Sequence, residues 1–221
     1  NSSFTDDTAW TCAIYDAIVN GDCNYQVYLK SYGKKELKKG LDIYGRGRFS
    51  PSSIRWIQGN YQGTSYGNGA AMRISPVAFC FDSIEKIKEE SYLATIPSHN
   101  HPDAIKSAEA VAVAIYLLRF GMPKNEVEEY IKSNYYKMNY NLEQLRHTYT
   151  FTSKAKDSIP QALFCFFKST DFENAIRTAI SIGGDTDTIA SITGALAESY
   201  YKIPDQLKEE IKKDLDEDTY N

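Results

Sequence analysis

The sequence predicts an all-α fold, and three observations carry that prediction. Apolar residues recur at helical spacing through most of the chain, each periodic stretch is closed by a cap or a breaker, and strand signals are scarce. The chain has 221 residues, 42% of them apolar, which is enough for one continuous core, and no Pro/Ser linker or fixed-period repeat divides it. A compact single domain over residues 1–221 is therefore expected.

The first helix starts near Thr5, presents Trp10, Ala13, Ile14, Ala17 and Ile18 on one face, and stops at Asn20 and Gly21. A shorter helix is expected over Tyr25 to Tyr32. Gly33 then opens a long region dense in glycine and poor in regular structure, broken only by a turn or two of helix from Pro51 to Ile57 behind Ser50 as its cap. Glycine-rich stretches of this length in a compact domain tend to be functional. From Ser83 onward the chain reads as helix after helix: Ile84 to Ala94, Pro102 to Phe120 closed by Gly121, and Lys124 to Tyr135. The small residues of Ala104 to Ala114 mark a buried helix with close neighbours. Asn141 caps Leu142 to His147, Pro160 opens a helix through Phe167, and Asp171 caps Phe172 to Ser181. After Gly183-Gly184 comes another helix rich in small residues, Asp187 to Tyr201, and Pro204 opens a terminal helix of mixed charge.

Composition removes several classes of function. Lys and Arg total 25 against 29 Asp and Glu, a formal charge of −4, so no strongly basic field exists to hold a nucleic-acid backbone or an anionic membrane. The longest apolar run, Ala110 to Leu118, falls far short of the ~20 residues that cross a bilayer. Cys12, Cys23, Cys80 and Cys165 stand apart, without a C-x-x-C pair or a histidine at zinc-finger spacing. They read as buried, reduced thiols of a cytoplasmic protein.

Two Asp/Thr clusters, Thr5-Asp6-Asp7-Thr8 and Asp185-Thr186-Asp187-Thr188, each open an apolar helix. Taken singly, either is an ordinary helix cap, with first-turn carboxylates favoured by the helix dipole. Taken together they suggest more, because both adjoining helices are apolar enough to be buried and would bring their acidic starts into one cleft. Carboxylates gathered that way repel unless protons or cations intervene, and carboxylates with Thr hydroxyls suit Mg²⁺, Mn²⁺ or Ca²⁺ better than zinc. The loop Gly63 to Gly69 offers backbone N–H groups for a phosphate or diphosphate and Tyr66 as an aromatic face for a base, although its spacing matches neither a P-loop nor a dinucleotide fingerprint. In Ser98-His99-Asn100-His101-Pro102, one histidine is a candidate ligand or phosphate/ribose contact and the other a cap, whereas His147 lies in a polar helix and reads as solvated.

With these pieces in order, the chain resembles the ADP-ribosylglycohydrolase family, the group related to dinitrogenase reductase-activating glycohydrolase. The matching segments are Phe4-Thr5-Asp6-Asp7-Thr8, Tyr66-Gly67-Asn68-Gly69-Ala70-Ala71-Met72-Arg73 with Pro76, His99-Asn100-His101-Pro102, and Ser181 to Ala197 around Gly-Gly-Asp-Thr-Asp-Thr. The resemblance implies a compact all-α domain holding two Mg²⁺ ions, replaceable by Mn²⁺, with Thr5, Asp6, Asp7, Asp185, Asp187 and Thr188 as ligands. Asp6, Asp7, Asp185 and Asp187 would be the indispensable catalytic set, chiefly as ligands, with one doubling as a base. Ser65, Tyr66, Gly67, Asn68 and Gly69 would form the loop for ADP-ribose, and His99 would stand near its diphosphate or distal ribose.

The implied reaction is hydrolysis of the glycosidic bond between ADP-ribose and a protein side chain or small molecule. The alternative is a catalytically silent ADP-ribose-binding module of the same fold, and a structural protein of that fold is a third reading. The expected partner is ADP-ribose or its conjugates, with nucleic acid disfavoured except as an ADP-ribosylated substrate, no membrane, and a monomeric state. Leaving-group contacts are expected from the variable stretch Tyr44 to Gln62. The family also has an N-terminal helix with a Gly-Asp motif and, in several members, a loop glutamate beside the metals; neither is matched. We therefore expect an upstream segment to cover Trp10, Ile14 and Ile18 and to lay an acidic loop over the metals.

Overall fold

Most helix boundaries follow from local caps. The computed structural model describes residues 4–20, 22–40 and 47–212, so Gly21 and Gly45 lie outside the described residues. It contains, in order, α1 (Asp6–Val19), α2 (Tyr25–Lys38), α3 (Pro51–Ile57), a 3-10 turn (Ala71–Arg73), α4 (Ser75–Cys80), α5 (Ile84–Thr95) and α6 (Pro102–Arg119). Then come α7 (Lys124–Asn134), α8 (Leu142–Thr148), α9 (Ala155–Lys168), α10 (Phe172–Ser181), α11 (Thr186–Tyr200) and α12 (Asp205–Lys212). Among the described residues there is no strand, only two isolated antiparallel bridges, Thr64 with His99 and Gly67 with Lys154. No helix among them is long and apolar enough to cross a membrane. Ser50, Ser83, Asn141 and Asp171 each cap the helix they precede, accepting from the amides of Ser53 (3.2 Å), Lys86 (3.2 Å), Gln144 (3.0 Å) and Asn174 (2.8 Å).

Four expectations are corrected, each because tertiary packing overrides a local signal. Gly33 does not end the second helix: α2 runs on to Lys38, and a Cβ at Gly33 would come within 2.7 Å of Ile57 Cδ1, so the glycine is where α3 seats on α2. Pro160 does not open a helix but lies inside α9. A proline there removes one hydrogen bond and costs ~3 kcal/mol in an unsupported helix, yet Ala155 and Ile159 ahead of it are fully buried and hold the first turns in place. Ile18 is left half-buried, but Trp10 and Ile14, expected to be bare without an upstream segment, are covered by the chain's own residues. Both are buried, with Trp10 donating to Leu29 O (3.1 Å) and packing against Phe49 and Trp56 at ring distances of 5.0 and 6.2 Å. Of the cysteines only Cys165 is buried; the other three are half-buried, and none forms a disulfide.

The core is organised around α6, whose residues from Ala108 to Ile115, apart from the half-buried Glu109, are closed to solvent on every side. Its alanines let α4, α5, α9 and α11 approach closely. α1 packs on α2 and α4, α11 packs on α9 and α10, and α1, α6 and α11 all reach the 3-10 turn, where Met72 and Arg73 are buried. That convergence brings the first turn of α1 to the first turn of α11.

Candidate active site

Asp6, Asp7, Asp185, Asp187 and Thr188 line a single cleft of about 270 Å³. The two Asp/Thr clusters therefore meet, and the way they meet separates them from ordinary caps. Thr5 has the extended backbone of an N-cap but makes no side-chain cap bond; its hydroxyl donates instead to Asp7 Oδ2 (3.0 Å). Asp185, at the same position before α11, also caps nothing: its Oδ2 accepts from Asn68 Nδ2 (2.7 Å). Both helix starts give up the usual side-chain cap and turn their acids to the cleft.

The electrostatics record what this arrangement lacks. Burial, with the charge of Asp7 added, pushes Asp6 up to about 8. Burial, with the charges of Asp187 and Asp185, pushes Asp7 up to about 7 against the hydrogen bond from Thr5. Asp185 rises to about 6, chiefly by burial, against the bond from Asn68. Asp7 Oδ1 is buried with no hydrogen-bond partner. A buried carboxylate oxygen without a donor is costly, and it marks a shortage of positive charge that hard cations would meet. The donors are oxygen atoms throughout, which suits Mg²⁺ or Mn²⁺. Among the described residues, no three His, Cys, Asp or Glu side chains are already drawn together as a ready-made cation site, so the acids share the cleft without being clustered.

The glycine loop forms the opposite wall, where Ser65, Gly67, Asn68 and Gly69 all line the cleft. Part of its backbone is pinned, so that of its glycine amides the one at Gly67 is already engaged. Ser65 N donates to Ser98 O (3.3 Å), Gly67 N to Ser65 Oγ (3.1 Å) and Asn68 N to Ser153 O (2.8 Å). The loop leads into a single 3-10 turn, not a helix N-terminus. Tyr66 is half exposed and sets its ring edge-on to His101 at 5.8 Å; it is not among the residues lining the cleft. His101 caps α6, accepting from Asp103 N (3.2 Å), and His147 is exposed, both as expected. His99 is buried at the cleft wall, and Gly69 is needed beside it, because a Cβ there would stand 3.0 Å from His99 Nε2.

Several lining residues were not anticipated. Trp10 and Trp56 supply apolar wall, Ser53 and Tyr61 come from the described part of the variable stretch, and the exposed ring of Phe151 stands with Ser153 on the loop before α9. Only the Tyr44 to Gln62 stretch carried a signal for any of these; its residues 44–46 lie outside the described residues. Tyr149 packs against Gly184, where a Cβ would come within 2.3 Å of its ring, and that glycine has φ +77°. The loop ahead of α11 can thus turn tightly under the tyrosine and present Asp185 to Asn68.

A family model described as ADP-ribosylglycohydrolase matches residues 1–220. ADP-ribosylarginine hydrolase Tri1 of Pseudomonas putida is 25% identical across 95% of this chain and 62% of its own length. ADP-ribosylhydrolase ARH3 of Homo sapiens is 25% identical across 93% of this chain and 72% of its own. A solved structure, an ADP-ribosylglycohydrolase-related protein complex, shares the fold with a TM-score of 0.72 at 20% identity, covering 95% of this chain and 78% of that one. A family match over nearly the whole sequence agrees with a helical fold that brings two distant Asp/Thr helix starts into one cleft, and on that ground the chain belongs to the ADP-ribosylglycohydrolase family, a family of hydrolases.

Proposed function

We propose that the chain hydrolyses the glycosidic bond joining ADP-ribose to a protein side chain or a small molecule, with two Mg²⁺ or Mn²⁺ ions held by Thr5, Asp6, Asp7, Asp185, Asp187 and Thr188. The observation that carries this reading is the pair of uncapped helix starts facing one cleft, with Asp7 Oδ1 buried and unpartnered between them. Bound there, the divalent cations would supply positive charge to fix ribose hydroxyls and activate a water. The protein's own groups account for the rest. The carboxylates favour the positive charge that develops on the ribose ring as the leaving group departs with the bonding electron pair. One of them takes the proton of the water that attacks the anomeric carbon and returns a proton to the leaving group. Asn68 holds Asp185 in place for this work through its 2.7 Å bond. The ADP portion extends along the Ser65 to Gly69 wall toward His99, and the leaving group faces Ser53 and Tyr61.

The test is metal content and turnover of the purified protein against a panel of substrates carrying ADP-ribose on arginine, serine, a nucleobase or a free metabolite. Turnover that disappears in chelator and returns with Mg²⁺ is expected. Full activity in chelator would remove the cations from the reading, and tight ADP-ribose binding without turnover on any substrate would make the chain a binding module.

A further inference from the structure

At the cleft wall runs a short buried chain of polar side chains, Arg73, Ser98 and His99, whose guanidinium end also feels the charge of Asp6. Arg73 is fully buried in the 3-10 turn, stacked 5.2 Å from the Trp10 ring, and its Nη2 donates to Ser98 Oγ (2.6 Å) and to Ala94 O (3.3 Å). Ser98 Oγ lies 2.7 Å from His99 Nδ1. The opposite edge of the His99 ring, Nε2 and Cε1, faces the backbone of Gly69, and Nε2 makes no hydrogen bond among the described residues. Ser98 and His99 are only 5% and 7% exposed, so water does little to set these protons.

Donor and acceptor rules then leave one arrangement. A guanidinium only donates, so Ser98 Oγ must accept from Arg73. The hydroxyl has one proton, and His99 Nδ1 is the acceptor within reach; were Nδ1 to carry a proton instead, the Ser98 O–H would be buried without a partner. Nδ1 is therefore the bare nitrogen and Nε2 carries the hydrogen. We propose that Arg73 and Ser98 are positioning residues that lock His99 into its Nε2–H tautomer, making it a fixed hydrogen-bond donor at the cleft wall for an oxygen of the ADP-ribose diphosphate or ribose.

Burial, with Arg73 adding to it, also holds the imidazole well below its usual range, so His99 stays neutral and keeps a bare Nδ1 for Ser98. The role given to the ligand oxygen rests on the ADP-ribose reading, whereas the tautomer does not. Gly69 completes the device, because a side chain there would meet Nε2 before any ligand could.

The experiment is nitrogen-15 NMR of histidine-labelled, ligand-free protein, with the His99 signals identified by their loss in His99→Gln, followed by calorimetry with ADP-ribose. Wild type should show a single neutral tautomer protonated at Nε2. Ser98→Ala should turn that signal into a mixture and weaken ADP-ribose binding about tenfold, while Ser98→Thr, which keeps the hydroxyl, should restore both. An Nδ1–H tautomer or a mixture in wild type overturns the proposal, as does a Ser98→Ala protein that keeps the tautomer and the affinity. Should Ser98→Ala fail to fold, the wild-type and Ser98→Thr spectra still decide. A locked tautomer in a wild-type protein that does not bind ADP-ribose would refute the ligand reading and leave the relay standing.

Discussion

Thr170-Asp171 ahead of α10 and Thr5-Asp6-Asp7 at the start of α1 are built from the same two residue types and do opposite things. In both, a threonine hydroxyl donates to an aspartate at 3.0 Å. At α10 the other oxygen of Asp171 accepts from Asn174 N, and that bond and the Thr170 hydroxyl hold the carboxyl below its ordinary range. At α1 the other oxygen of Asp7 is buried with no donor, and burial together with Asp187 and Asp185 raises the carboxyl instead. A cap and an acid of the cleft cannot be told apart by their residue types alone. They differ in where the second oxygen points and in what charges stand around it.

That contrast is tested most severely by removing one charge on each side. Asp187→Asn should abolish turnover while leaving helical content intact and metal-free thermal stability undiminished, because it removes repulsion from Asp7 and takes no cap from α11. Circular dichroism, melting and turnover on one preparation would decide, and unfolding of the variant would make Asp187 a structural residue. Next in size is the response to cations. A ligand at ~100 times its Kd stabilises a protein by about 2.7 kcal/mol, so saturating Mg²⁺ should raise the melting temperature clearly and chelator should reverse it.

The same two regions should titrate in opposite directions in metal-free protein. Asp6 and Asp7, raised to about 8 and 7, contribute stability that is complete below the ordinary carboxylate range near 3.8 and is lost as pH rises through those values. Asp171, lowered, contributes stability present above 3.8 and lost as pH falls below it. Melts in chelator should therefore decline from about pH 4 to about pH 8, and Mg²⁺ should flatten that decline. A melting temperature indifferent to Mg²⁺ across the whole range would sink the cation assignment.

Substitutions on the loop facing the acids come next. Gly67→Val should lower ADP-ribose affinity about tenfold, about 1.4 kcal/mol, because its side chain would crowd the cleft wall. Tyr66→Ala, whose ring lies outside the cleft lining, should change affinity much less, and neither should change Mg²⁺ binding. The two variants act differently. A side chain at Gly67 also comes within 3.2 Å of Ser153 O and Ser65 Oγ, whereas the Tyr66 ring has only His101 to leave. Calorimetry with ADP-ribose and with Mg²⁺ separates the two effects, and unchanged affinity in both variants would remove the loop from the site.

Legibility in the sequence tracks the range of the forces involved. Ser50, Asn141 and Asp171 are legible as caps because cap and capped amide are three residues apart. The Asp/Thr acids are legible as a pair, since two such starts before apolar helices invite a common cleft. Pro160 and Gly33 mislead because local breaker rules lose to the burial of Ile159 and to the seat that Gly33 offers Ile57. The Arg73, Ser98 and His99 chain is illegible in advance: an arginine among Ala70, Ala71 and Ile74 gives no hint that its partner lies on the segment before α6. Tyr66 is found as an aromatic on a glycine loop, but its ring direction is set by His101, which no spacing rule predicts.

The smallest expected effect lies at the working cap. Asp171→Ala removes the side-chain acceptor that caps α10, and it should lower the melting temperature modestly while turnover and Mg²⁺ response stay at wild-type values. Asp171→Asn should be milder still, because an asparagine oxygen can accept from Asn174 N as the carboxylate does. At the acidic cleft the same conservative change is the severe one. There an amide keeps the size and one oxygen but supplies no negative charge for a cation, so Asp→Asn should spare the fold and stop the reaction. Stability measured for Asp171→Asn against turnover measured for Asp187→Asn thus distinguishes a hydrogen-bonding role from a charge role. If both positions lost only stability, or if both lost only turnover, the difference drawn between the two helix starts would be false.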